Sequence, residues 1–129
     1  MAKKRVFISF DYDNDEGAKI MLAGQAKLPD SPFDFTDASV KDHLTGDWKD
    51  KVRRRMDNID VVIVLCGEQT HAASGVTSEL TIAQEKAKVY FHLAAYSDKN
   101  CTLSSSAKAG DKLYRWTWDI LKTLIDGGR

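Results

Sequence analysis

Residues 61 to 66 read VVIVLC, an unbroken apolar run rich in β-branched side chains. A strand with one wet face alternates polar and apolar residues. An unbroken one is buried on both faces, as in a parallel sheet sandwiched by helices. Parallel neighbours cannot be joined by tight hairpins, so the rest of the chain has to supply crossover helices.

It does so in alternation. RVFISF (5 to 10) is a second strand-like run, too short for a helix. DNDEGAKIMLAGQAKL follows, with Asp13 and Glu16 spaced as an N-cap and its partner. After the punctuation of Pro29 and Pro32 comes the strand-like FDFTDAS. A helix starting near Asp47 puts Trp48, Val52, Met56 and Ile59 on one stripe, a core position for Trp48. SGVTSELTIAQEKAK (74 to 88) does the same with Val76, Leu80, Ala83 and Ala87, from a cap at Ser74. VYFHLAAY (89 to 96) predicts another buried strand, 97 to 111 a polar loop, and KLYRWTWDILKTLI (112 to 125) a closing helix. On that helix Tyr114, Trp118, Leu121 and Ile125 share one stripe, while Leu113, Trp116 and Ile120 lie nearly opposite. Trp116 and Ile120 there form either a protein interface or a face buried under the 97 to 111 loop.

The expected architecture is α/β: a flavodoxin-like, three-layer open parallel sheet of order 2-1-3-4, with room for a short fifth strand. At 129 residues the chain is the size of one domain, spanning 1 to 129. Its 19 basic and 19 acidic residues cancel, so no long-range field favours nucleic acid or an anionic membrane. The apolar runs are too short to span a bilayer, and the start MAKKRVFISF lacks a signal-peptide pattern, which points to the cytoplasm. Cys66 and Cys101 lack CxxC spacing, and His43, His71 and His92 lack metal-ligand spacing, so neither a disulfide nor a metal is expected.

In open α/β sheets ligands sit beyond the carboxyl ends of the strands. That confines the search to the loops after residues 10, 37 and 66 and to the helix start at 74 to 79. A redox dinucleotide site needs GxGxxG after the first strand, but that turn reads FDYDNDEG. A phosphoreceiver needs an acceptor aspartate at the end of the third strand, where Cys66 and Gly67 stand.

RVFISFDYDND together with DVVIVLCGEQTHAASGVTSEL resembles the TIR domain family. FISFDYDND, LTGDWK and VIVLCGEQTH carry a narrower resemblance, over residues 4 to 126, to the TIR-like proteins of the ThsB type found in bacterial Thoeris antiphage systems. The resemblance implies cleavage of the nicotinamide–ribose bond of NAD, with NAD as substrate rather than cofactor. It also implies self-association on activation, a nucleotide signal such as a cyclic ADP-ribose isomer, a downstream effector, and a trigger such as a phage protein. The catalytic glutamate of the family's Glu-Leu pair falls on Glu79. The Trp-Cys that many TIR domains carry shortly before it is replaced here by Gly75 and Val76. Phe10, Asp11 and Tyr12 fall where TIR enzymes hold part of the dinucleotide. Asp37 falls where the family's BB loop begins, and with Gly67, Glu68 and His71, in the loop after the third strand, it is a candidate substrate-binding residue, the alternative for Glu68 and His71 being an ordinary surface loop.

Helical geometry places Glu79 about 40° from Ala83, on the flank of the buried stripe. It lies beyond the first turn, where stabilising a helix N-terminus no longer explains a carboxylate. Two readings remain: a functional carboxylate, or a boundary glutamate that reaches to solvent. They correspond to an NAD-cleaving enzyme and to a non-catalytic TIR-like interaction module.

Overall fold

A computed structural model describes residues 4–11, 14–35 and 48–127. In chain order the elements are β1 (Lys4–Ser9), α1 (Glu16–Gln25), β2 (Phe33–Phe35), α2 (Trp48–Met56), β3 (Val61–Cys66), a 3-10 turn (Thr70–Ala72), α3 (Ser74–Glu85), β4 (Val89–Ala94), β5 (Leu113–Arg115) and α4 (Trp118–Ile125). The strands form a wholly parallel sheet of order β2-β1-β3-β4-β5. This is the flavodoxin-like order expected, with the fifth strand present.

β3 lies at the centre, and every one of its residues is buried. Val61, Ile63 and Leu65 face a core shared with Leu22 of α1 and with Leu121, Leu124 and Ile125 of α4. Val62, Val64 and Cys66 face the opposite core, with Val52 and Met56 of α2 and Val76, Leu80, Ile82 and Ala83 of α3. Alternate side chains of one strand thus nucleate two cores. β1 divides the same way: Val6 and Ile8, with Phe10 just beyond the strand, face the α1 side, and Phe7 faces the α3 side. No helix among the described residues is long and apolar enough to cross a membrane.

Several local expectations change. Residues 112–125 are not one helix. Leu113–Arg115 join the sheet edge beside β4, and the helix begins only at Trp118, capped by Thr117, whose side chain accepts from the Ile120 amide. Edge pairing satisfies backbone groups that a longer α4 would have satisfied internally, and the apolar pattern is too short to separate the two. Trp116 therefore does not share a helix with Ile120, and both pack against the α1-side core. The indole Nε1 of Trp116 donates to Gln25 of α1 at 2.9 Å.

Ala73 occupies the N-cap position of α3 and makes no capping side-chain hydrogen bond; Ser74, the expected cap, is the first helical residue, and the helix ends at Glu85. Ala87, expected on the buried stripe, is exposed and adopts φ 55°, while the Lys88 amide returns to the Ala83 carbonyl at 2.9 Å. Ile82 takes a core place instead. Ile59 is buried as expected, just past the end of α2. The residue before α1 is Asp15; Asp13, the expected cap, and the side chain of Trp48 lie outside the described residues.

Leu80 is fully buried between α3 and the sheet. Leu80→Ala is expected to lower stability by about 2–5 kcal/mol in urea denaturation. Met21→Ser, at a side chain 67% exposed, is expected to change it by less than about 0.5 kcal/mol.

Candidate active site

β1 ends at Ser9, whose hydroxyl is the polar exception among the buried side chains of that strand. Strand alternation turns Ser9 toward the same side as Phe7, and α3 lies there. α3 starts at the carboxyl end of β3 and runs back along the sheet, so Glu79 falls about 7.5 Å from its start. There its carboxylate reaches β1: Ser9 Oγ donates to Glu79 Oε1 at 2.7 Å. Glu79 is only 1% exposed, so the glutamate does not reach out to solvent. A carboxylate so enclosed is costly unless its hydrogen bonds are supplied, and it is held in one orientation when they are.

The loop after β3 is built around Gly67. Its amide donates to Thr70 Oγ1 at 2.8 Å, and its carbonyl accepts the Thr102 amide at 2.9 Å. Thr102 Oγ1 in turn accepts the His71 amide at 3.1 Å and lies 3.0 Å from His71 Nδ1. The 97–111 segment continues along α3, where Ser106 Oγ donates to the Thr77 carbonyl at 2.8 Å and accompanies the helix that carries Glu79.

On the other side of the sheet's carboxyl edge, Asp15 is 2% exposed. Its Oδ1 accepts the Tyr96 hydroxyl at 2.9 Å. Burial, partly offset by that hydrogen bond and reinforced by Asp11, raises the Asp15 carboxyl above its ordinary range. Burial and the Asp15 contact also push the Tyr96 phenol up to about 12, which keeps it a proton donor. Burial raises the Cys66 thiol as well, so it stays protonated and serves as core packing.

The sequence-predicted residues divide by location. Phe10 is buried in the α1-side core, on the opposite face of β1 from Ser9, with Lys19 Nζ 5.9 Å from its ring centroid. Asp11 closes the turn, accepting Asn14 Nδ2 at 2.7 Å. Gly67 is buried, whereas Glu68 and His71 are exposed on the loop above it. Tyr12 and Asp37 lie outside the described residues. Ser9, Asp15 and Tyr96 join the site without having been singled out from sequence. Ser9 carried a signal, a lone hydroxyl in an apolar strand. Asp15 was hidden in an acidic run, and Tyr96 at the end of an apolar one.

A raised folded-state value means that the folded chain holds the Asp15 proton more tightly than the unfolded chain. The resulting stabilisation is complete below the ordinary carboxyl value of 3.8 and is lost as pH rises through the raised value. In thermal melts between pH 7 and pH 4, wild type is therefore expected to gain stability relative to Asp15→Asn as the pH falls. A pH-independent difference would contradict the shift.

Comparison with known proteins supplies a family. A search of curated proteins finds no match to the chain. The family model described as "Thoeris protein ThsB, TIR-like domain" matches residues 7–100, a span that holds Ser9, Asp15, Gly67, Glu79 and Tyr96. The chain belongs to this ThsB-type TIR-like family, and so to Thoeris antiphage defence signalling.

Proposed function

We propose that this protein cleaves NAD at the nicotinamide–ribose bond, with Glu79 as the catalytic carboxylate. The observation that carries the reading is the Glu79–Ser9 pair: a carboxylate 1% exposed, anchored at 2.7 Å, at the edge of the sheet where α/β folds bind ligands. A structural helix has no need of an anion there, since position 79 lies past the first turn.

The chemistry suits one fixed anion. As the bond breaks, nicotinamide leaves as a neutral molecule with the bonding pair, and positive charge develops on the ribose. A carboxylate held close to the sugar stabilises that charge through space, without having to transfer a proton. Ser9 fixes one carboxylate oxygen in advance, so less reorganisation is needed when the charge appears. Water then captures the ribose, releasing a proton and giving ADP-ribose. Alternatively a nucleophile of the same molecule does so, giving a cyclic ADP-ribose isomer. Exclusion of water favours the second outcome, which is the one suited to a signal passed to an effector. NAD is a substrate in this reading, and no cofactor is required.

A second reading, an interaction module acting through protein contacts, draws on Ile20 and Met21 of α1, which are 60% and 67% exposed side by side. Exposed apolar neighbours of this kind mark contact surfaces, and self-association of the enzyme would use them equally well. Ile20→Ser combined with Met21→Ser is expected to shift any assembled species toward monomer in light scattering while leaving the fold intact.

Nicotinamide release, followed by mass spectrometry with and without lysate of phage-infected cells, tests the enzyme. Glu79→Gln keeps the shape and removes the charge, and is expected to lower turnover by about 10²–10³-fold. Ser9→Ala is expected to cause a smaller loss. Equal activity in wild type and Glu79→Gln, or no release from assembled wild type in either condition, would favour the interaction module.

A further inference from the structure

Asp15 occupies the N-cap position of α1, yet its side chain makes no capping hydrogen bond. The carboxylate turns instead into the carboxyl edge of the sheet. Oδ1 takes the Tyr96 hydroxyl at 2.9 Å, while Oδ2 is buried with no hydrogen-bond partner. Both oxygens lie over Gly67, so closely that a Cβ there would stand 2.4 Å from Oδ1 and 2.5 Å from Oδ2. Contacts that short do not occur, so the position after β3 must be glycine for the carboxylate to lie where it does. Gly67 has no positive φ, so close approach rather than backbone conformation is what demands it.

Desolvating a carboxylate for the sake of one phenol hydrogen bond destabilises a fold, and a Ser or Asn cap would serve the helix better. What the arrangement does achieve is a fixed spacing between three segments. The Asp15 and Asn14 amides both donate to the Asp11 carbonyl, at 2.8 and 3.3 Å, which ties the side chain to the turn after β1. Gly67 is tied through Thr70 to the turn that leads into α3, and through Thr102 to His71. Tyr96 belongs to the segment after β4, which is also held by the Ala95 amide on the Cys66 carbonyl at 2.8 Å.

We propose that Asp15 is a positioning residue for the cleavage reaction, its carboxylate acting as the spacer that sets the turn after β1 against the loop after β3. The inference rests on the functional reading above. The Glu79–Ser9 pair lies on the other face of the sheet, so Asp15 acts on the rim that receives the dinucleotide rather than on the reacting bond. Loss of the spacer loosens ground-state and transition-state binding alike, which appears in KM and spares kcat.

Steady-state cleavage of NAD by Asp15→Ala, Gly67→Ala, the double variant and Asp15→Asn tests this. Asp15→Ala and Gly67→Ala are each expected to raise KM about tenfold, with kcat held within about threefold. The double variant should be no worse than Asp15→Ala alone, because the added methyl then has no carboxylate to displace. Asp15→Asn keeps the shape and the acceptor for Tyr96, and should return KM to within about threefold of wild type. Additive losses in the double variant, or a fall in kcat at constant KM, would overturn the proposal. Hydrogen exchange at the Gly67, Ala95 and Thr102 amides provides a readout that needs no turnover, and is expected to quicken in both single alanine variants. If wild type releases no nicotinamide, the enzyme reading fails by itself and exchange decides the role of Asp15. Unchanged exchange in both variants overturns that role.

Discussion

Burial of β3 on both faces is the constraint from which the rest of the molecule follows. A central strand with no wet side needs helices above and below it, and parallel neighbours need those helices as crossovers. α1 and α3 therefore begin at the same edge of the sheet but on opposite faces. The N-terminal ends of both helices project over the carboxyl ends of β1 and β3. That placement puts Asp15 on one side of the edge and Glu79 on the other, with β1 and β3 between them. The two carboxylates are distant in sequence and are brought to one edge by the winding of the chain alone.

Both carboxyl groups are almost fully enclosed, and burying so polar a group does not by itself improve the fold. Stability would be served by apolar or neutral side chains at each position. Their surroundings are nevertheless built to receive them: a hydroxyl in an otherwise apolar strand for Glu79, and a phenol and a glycine for Asp15. Unfavourable burial of this kind is what the proposed roles of the two carboxyl groups would account for, since functional sites give up stability for pre-organisation. The buried thiol of Cys66 lies at the same edge and shows the contrast. Burial merely keeps it protonated, and its neighbours are apolar core side chains.

Legibility from sequence followed the range of the interactions involved. VVIVLC matches β3 residue for residue, because continuous apolarity over a strand's length leaves few alternatives. The stripe of Val76, Leu80 and Ala83 was readable for the same reason, and Glu79 on its flank came with it. Residues 112–117 carry a helix-like pattern yet lie outside α4, because the three-residue edge strand Leu113–Arg115 has no period of its own and exists only by pairing with β4. Ala87 left its expected stripe because α3 closes by a backbone turn that side-chain periodicity does not encode. Ser9, Asp15 and Tyr96 escaped notice as a set, since each is unremarkable beside its sequence neighbours.

By itself the sequence determined the alternation of strands and helices, hence the class of sheet, and the helix face that carries Glu79, since these are set by the local periodicity of apolar residues. Only the tertiary structure decided that Glu79 is enclosed and anchored by Ser9, a residue 70 positions away in the chain. It alone decided that Asp15 spans from Gly67 to Tyr96 instead of capping its own helix. The physical reason is that the cost and the orientation of a buried charge depend on which distant groups surround it, and those are assembled only when the two cores close around β3.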